Sequence, residues 1–381
     1  MYLICEQLAK IFANTETPFG GMNMIFAGDF AQLPPVLGKE NSALYSSTAG
    51  ERGKDLVDQQ NALGKAMWHQ ITTVVMLRQN MRQSVDSVED QKFRTALTNL
   101  RYKACTPEDL EFFDTRVHTN HTQGPSICAD RFRNISIITG YNATRDKLNE
   151  MGTIRWAEEH QQDLYDFYSD DTLSNNEKIP GKPYKKGNKK SKVTELSYEV
   201  QNALWHQPSS STDNKVPGKL TVCKGLPIMI RHNTATELCI TKGQEGFVYD
   251  WIAGKGSRGQ VILKVLFVKL DNPPQDVQFE GLPLNVVPVP TMSTPVLCRL
   301  KDDSRIAVNR KQVPVLPNFA MTDYASQGKT RTSNVVDPCY LYTHQSLYTA
   351  LSRGVSAKGT LILQGITDGR LQGGTSRPQK Q

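Results

Sequence analysis

The sequence predicts an α/β layer architecture carrying a small all-β insertion, and three observations lead there. Short apolar runs that end in a polar loop recur along the chain, separated by stretches of helical period, as in a parallel sheet buried on both faces. From about Val216 to Val313 this gives way to short β-type runs divided by turn signals. The length, 381 residues, suits two or three domains better than one.

In order along the chain, Leu3, Leu8, Ile11 and Phe12 fall near helical spacing, so MYLICEQLAKIF reads as an amphipathic helix. After PFGG, the residues Met24, Ile25, Phe26 and Ala27 read as a strand buried on both faces, stopped by Gly28 and Asp29. The pattern returns at TTVVMLRQNMR (Thr72–Arg82), NISIITGYNATRDKLN (Asn134–Asn149) and NFAMTDYASQGKT (Asn318–Thr330). Between the first two of these, Phe93, Leu97 and Leu100 share one helical face, and Thr106 caps a further helix with Pro107 in its first turn. Residues 156–211 are polar and weakly periodic, and read as an insertion. In the all-β stretch, LTVC, PIMIR, GFVYDWI, QVILKVLFVKL, PVLCRL and RIAVN are the strands, with turns at KGQEG and NPP. A helix around QSLYTALSR and a strand GTLIL close the pattern.

Composition narrows the function. A 38% hydrophobic and 22% charged content is that of a soluble globular protein, and no apolar run approaches the roughly 18–20 residues of a membrane span. The first residues lack the basic region and cleavage site of a secretory signal, so an intracellular protein without a membrane partner is expected. Seven scattered cysteines never form CxxC, and the closest histidine pair, His118 and His121, sits in a polar loop. Neither a disulfide framework nor a bound metal is expected. A net charge of +7 favours a polyanionic partner. Much of it lies in Lys178–Lys192, a run broken by Gly and Pro that reads as a solvated loop, with phosphate contact as the alternative.

The stretch DYASQGKT ends like an ATP-binding P-loop, G-x-x-x-x-G-K-[ST], yet Asp323 stands where the leading glycine belongs and no other GK[ST] occurs. Its meaning comes from its company. GDFAQLPPV (Gly28–Val36), with PFGG before it, NMRQ (Asn80–Gln83), SQGKT (Ser326–Thr330) and YTALSRG (Tyr348–Gly354) resemble, in order, the motifs of superfamily one helicases. More narrowly they resemble the PIF-type DNA helicases, relatives of RecD and of the helicase part of Helitron transposons. Tyr324 and Ala325 depart from the family's usual His-Lys before Ser-Gln-Gly.

The resemblance implies RecA-like helicase domains with an inserted SH3-like barrel. Residues 1–60 would be the remainder of a truncated first domain and 61–215 the first part of the second, including the insertion at 156–211. The barrel would occupy 216–313, the rest of the second domain 314–366, and a disordered tail 367–381. Walker A and Walker B segments, which carry the phosphate cradle and the magnesium-binding carboxylates, are expected upstream of Met1, so this chain alone is expected not to hydrolyse ATP.

The resemblance assigns Arg82 and Arg353 to the arginine-finger role, for which a planar, permanently charged fork suits phosphate oxygens. Gln32 would sense the γ-phosphate and position water, Asp29 would organise that site, and Gly328 belongs to the nucleotide side. Asn142, Thr144, Ser326 and Gln327 would contact DNA phosphates, the alternative for Thr144 and its neighbours being a cap on the following helix. Gly243 and Gly246 would be hairpin turn residues of the barrel. Trp205 and Trp251 would stack on bases or, as lone tryptophans more often do, pack.

The implied activity is ATP- and Mg2+-dependent unwinding of duplex DNA in the five-prime to three-prime direction, in replication, repair and recombination. Single-stranded and duplex DNA are the partners, and a monomer in nucleus or mitochondrion is expected. The alternatives are the helicase region of a Helitron-type transposon protein and a non-enzymatic DNA-binding remnant.

Overall fold

A computed structural model describes residues 1–34, 44, 56–83, 86–119, 125–174, 196–212, 215–300 and 305–375. The chain divides into two compact units, Met1–Arg133 with Ser326–Gln381, and Asn134–Ala325.

The first unit opens with the predicted helix α1 (Tyr2–Ile11), which buries Cys5, and continues with α2 (Leu56–Trp68). Helix α3 (Val88–Arg101) starts where the Ser87 hydroxyl accepts from Asp90 N and buries Phe93, Ala96, Leu97 and Leu100 along one face. Helix α4 (Pro107–Asp114) carries a full capping box between Thr106 and Asp109, as its sequence predicts. The rings of Phe93 and Phe112 meet at 6.1 Å and join the two helices.

The expectation of buried strands at Met24–Ala27 and Thr72–Leu77 is not met. Neither run forms a ladder among the described residues, and Ile25 and Leu77 are 94% and 92% exposed. An apolar strand becomes buried only when neighbouring strands take up its backbone groups, and the described residues place none beside these two.

In the second unit, β1 (Ile137–Thr139) leads into α5 (Asn142–Glu159). Strands β2 (Tyr165–Tyr168) and β3 (Asp170–Leu173) and helix α6 (Tyr198–Trp205) give ordered structure to what reads as an insertion; Lys178–Lys192 lies outside the described residues. Next come β4 (Lys219–Val222), β5 (Pro227–Ile230), β6 (Glu245–Lys255), β7 (Val261–Leu270), β8 (Val286–Pro290), β9 (Met292–Arg299), β10 (Arg305–Gln312), β11 (Val315–Pro317) and β12 (Ala320–Thr322). They form an antiparallel five-stranded sheet ordered β11-β5-β6-β7-β8, a three-stranded sheet β3-β10-β9 and the pair β2-β4. The five-stranded sheet and the β2-β4 pair share a core that includes Leu220, Ile228, Val248, Leu266 and Val268, while the three-stranded sheet packs Val296, Cys298 and Val308 with Leu204 in a second one.

Gly243 is a turn residue at φ +93°, but Gly246 is not: it lies within β6, where a Cβ would stand 2.5 Å from the Lys269 carbonyl oxygen. Close approach of a neighbouring strand, rather than a turn, excludes a side chain there.

Strand β12 pairs in parallel with β1, and α5 is fastened to it by Asn149, whose Oδ1 accepts from Phe319 N and Ala320 N at 2.8 Å each. Gly152 on the same face lets the helix come close, since a Cβ there would sit 2.3 Å from Phe319 Cγ. Gly152→Ala should therefore destabilise the unit by about 1–3 kcal/mol through overpacking, read as a lowered urea midpoint at unchanged slope. Equal midpoints would show that the helix can retreat from Phe319.

The chain returns through the short α7 (Asp323–Ser326) to β13 (Asn334–Val336), α8 (His344–Leu351) and β14 (Thr360–Ile362), with β13 and β14 parallel. The tail expected to be disordered holds α9 (Asp368–Leu371), whose Leu371 is buried; residues 376–381 lie outside the described set.

Candidate functional site

Four of the motifs converge within the first unit. In GDFAQ, Gln32 N donates to Asp29 O at 3.1 Å, closing a turn, while the Asp29 carboxylate accepts from Ala31 N at 3.0 Å and from Gln32 Nε2 at 3.2 Å. The last residue of α3, Arg101, holds that carboxylate with both terminal nitrogens at 2.7 Å and donates to the Tyr348 hydroxyl at 3.2 Å. Asp29 is thus a fixed, compensated anchor that orients the Gln32 amide. Gln32 Oε1 in turn accepts from Gln327 Nε2 at 3.3 Å.

In NMRQ, the Asn80 side-chain oxygen accepts from the backbone N–H groups of Arg82 and Gln83, which sets an Asx turn. Gln83 is buried and donates to the carbonyls of Ser352 and Gly354 at 3.2 and 2.7 Å. This clamp presents Arg82, which reaches Thr330 Oγ1 at 3.2 Å and Ser352 O at 3.1 Å. In SQGKT, Lys329 N donates to Ser326 O at 3.0 Å across a turn in which Gly328 sits at φ +85°, a conformation that favours glycine. Ser326 is buried and Gln327 exposed.

Arg353 is the unusual residue of the set. Its side chain is buried, the residue being 1% exposed, and it donates to Thr349 O at 2.8 Å, Ser352 Oγ at 2.8 Å and Lys329 O at 3.5 Å. Among the described residues no carboxylate pairs with it. Burial, and next the neighbouring Arg82 cation, push its pKa down to about 10, against the weaker pull of Tyr348 and Asp29. A buried arginine of the second unit, Arg310, shows the opposite treatment: it is held by both oxygens of Asp171, and both side chains are fully buried.

The structure therefore brings Asp29, Gln32, Arg82, Gly328, Arg353, Ser326 and Gln327 into one unit and places Asn142 and Thr144 in the other. Asn142 is the first residue of α5, and its side-chain oxygen accepts from the Arg145 guanidinium at 2.8 Å; Thr144, two residues on, is partly exposed. Trp205 and Trp251 pack. Trp205 is buried and donates to Ser169 O at 2.9 Å, and Trp251 lies against Tyr165 and Phe167. Sequence reasoning missed Arg101, Gln83, Thr330 and Tyr348 as members of the cluster. Three of these stand inside the quoted motifs and could have been found there, whereas Arg101 meets a partner 72 residues away with no local signal. Among the described residues no group of three or more His, Cys, Asp or Glu could hold a metal ion, and no helix is long and apolar enough to cross a membrane.

Residues 4–102 match the PIF1-like helicase family. Over 131 residues the chain is 26% identical to the ATP-dependent DNA helicase PIF5 of Trypanosoma brucei brucei, covering 32% of this chain and 14% of that protein. Over 390 aligned residues it is 22% identical to the uncharacterized protein 030L of Invertebrate iridescent virus 6, covering 91% of this chain and 66% of that one. The chain thus spans less than two thirds of the length of either relative. Among solved structures, Pif1 helicase from Candida albicans superposes with a TM-score of 0.59 at 20% identity, covering 99% of this chain and 71% of that one. Bacteroides Pif1 bound to ssDNA gives 0.58 at 17% identity, covering 97% and 68%. In sequence over residues 4–102, and in fold over nearly its whole length, the chain is similar to the PIF1-like helicases.

Proposed function

We propose that this chain is the DNA-coupling and phosphate-sensing part of a PIF-type, ATP-dependent DNA helicase that moves five-prime to three-prime along single-stranded DNA. The observation that carries this is Arg353, a buried guanidinium satisfied by neutral oxygens and lacking a carboxylate among the described residues. Such a cation is costly unless an anion joins it, and the transferring phosphoryl group of a nucleotide is the anion that two adjacent arginines suit.

The residues present fit the terminal phosphate of ATP and not its whole binding site, because the sequence has no G-x-x-x-x-G-K-[ST] loop and the described residues offer no ligand set for Mg2+. ATP, when bound, supplies the phosphoanhydride whose cleavage drives the motor. Arg82 and Arg353 meet charge developing on the phosphoryl oxygens. Gln32, its amide held between Asp29 and Gln327, can accept from an attacking water through one lone pair while donating to Asp29. The bonds Arg82–Thr330 and Gln32–Gln327 tie both functions to the Ser326–Thr330 loop, which the resemblance assigns to DNA. We assign residues 1–60 and the segments 61–215 and 314–366 to RecA-like domains, and 216–313 to an SH3-like barrel built on the five-stranded sheet.

The test is a pair of assays on the purified 381-residue chain. A labelled oligodeoxythymidine should bind with an affinity that falls linearly in log–log form with salt, while Mg2+-dependent ATP hydrolysis stays at background. Absence of oligonucleotide binding would sink the DNA reading, and robust hydrolysis would sink the assignment of the phosphate cradle to a segment outside this sequence.

A further inference from the structure

The run ITTVVML, residues 71–77, has the composition of a strand, yet among the described residues no strand pairs with it. Ile71 N closes the end of α2 by donating to Trp68 O at 3.2 Å, and from residue 72 to residue 79 nothing makes a hydrogen bond among the described residues. Free donors and acceptors along an apolar run of strand composition are a template for a further strand.

Its side chains are equally open. Val74, Val75, Met76 and Leu77 are each at least 73% exposed. Successive side chains of a strand point to opposite faces, so both faces of the run are uncovered as well as its backbone. The run begins three residues after Trp68, whose ring meets Phe26 at 6.0 Å and Phe30 at 5.9 Å, so the exposed Ile25, Phe26 and Phe30 stand at its start. Together these side chains present apolar surface on the order of 900 Å², above the roughly 300–600 Å² of the largest patch on a typical monomer and close to the roughly 800 Å² that each partner buries in a standard interface.

A second copy of the same run is the partner that its sequence fits. ITTVVML has no charge, proline or glycine, and five of its seven residues are β-branched, as in segments that pair with their own kind. Antiparallel pairing centred on Val74 sets Val74 against Val74, Thr72 against Met76, Thr73 against Val75 and Ile71 against Leu77, with Arg78 meeting the neutral Gln70. Moving the centre one residue toward the C-terminus would bring Arg78 against Thr72, and one residue the other way would set Leu77 against His69. Parallel pairing in register would place Arg78 beside its own copy. Charge and apolar matching thus select the antiparallel pair centred on Val74, and an isologous contact of this kind closes at two copies.

We propose that this chain forms a two-fold symmetric dimer in which residues 71–77 of two copies pair as antiparallel strands centred on Val74, with the apolar side chains around Trp68 covered at the same contact. The dimer replaces the monomer that the resemblance implies. It stands apart from the nucleotide and DNA reading above, since it uses none of the residues of that site.

Sedimentation equilibrium of the purified 381-residue chain across micromolar concentrations tests it. The wild type should be a dimer. Val74→Lys and Val74→Asp each set like charges directly opposite one another and should weaken the dimer about tenfold or more, whereas Val57→Lys, at an exposed apolar position on α2 outside the run, should leave it unchanged. Val74 is exposed in the single chain, so its variants should fold as the wild type does, which circular dichroism checks. An equimolar mixture of Val74→Lys and Val74→Asp brings opposite charges together at the centre and should associate more tightly than either variant alone. A monomeric wild type overturns the proposal, as does an open-ended assembly in place of a dimer. Association that both Val74 variants leave untouched assigns the contact to another surface, and a mixture no tighter than its components overturns the pairing centred on Val74.

Discussion

Arg353→Met is expected to raise the melting temperature of the isolated chain while reducing turnover about a thousandfold or more in a motor supplied with a phosphate cradle. Both outcomes follow from one buried charge. With the folded pKa near 10, well below the ordinary arginine range, the protonated form is disfavoured in the native state. At neutral pH that difference corresponds to a cost of about 3 kcal/mol.

The sign follows from proton counts. Above pH 10, up to the higher pKa of the free side chain, the unfolded chain holds the proton and the folded chain releases it, so wild-type stability rises with pH there, and the cost is fully present below pH 10. Methionine fills similar volume without charge, although it leaves the Thr349 carbonyl and Ser352 hydroxyl without their donor, which returns roughly 1–2 kcal/mol. A net gain of about 1–2 kcal/mol remains, at roughly 2–4 °C per kcal/mol for a unit of this size. The gap between variant and wild type should be constant from pH 7 to 9 and shrink above pH 10. A variant that melts below the wild type at pH 7 would show that the guanidinium is compensated in the folded protein, and would remove the main support for a phosphate partner.

The opposite result is expected at the buried Arg310. Asp171→Ala strips the carboxylate from Arg310, which is fully buried and also donates to Val216 O at 2.9 Å and Leu204 O at 3.4 Å. Gln201 Nε2 donates to the same carboxylate at 3.2 Å, so the pair joins β3, β10, α6 and the segment leading to β4. Removing one partner from a buried pair costs about 3–5 kcal/mol because the other charge is left uncompensated. The second unit should melt some 6–20 °C lower. The double variant Asp171→Leu with Arg310→Met, which removes both charges and keeps the volume, should recover most of that loss. Scanning calorimetry of wild type, single and double variants decides it, and a loss below about 1 kcal/mol in the single variant would show that water reaches the pair.

Much of the architecture was legible because its signals are local. The capping box at Thr106, the one-sided face of Phe93, Leu97 and Leu100, and the six β-type runs before Val313 each depend on residues close in sequence. The same holds for the Ser326–Lys329 turn, whose glycine is required by its own dihedral angle. Expectations failed where the outcome needed a neighbour. Met24–Ala27 and Thr72–Leu77 have the composition of buried strands, but burial depends on adjacent strands that the described residues do not provide. Gly246 resembles a turn glycine until Lys269 is seen beside it.

By itself, then, the sequence determined the alternation of elements, the order of the motifs and the resemblance they carry, since periodicity, capping and motif spacing are properties of short windows. Only the tertiary structure decided that Arg353 is buried without a carboxylate partner among the described residues while Arg310 has one, and that Arg101 anchors Asp29. Charge compensation depends on which groups meet across tens or hundreds of residues and how far water is excluded from them, and a linear pattern records neither.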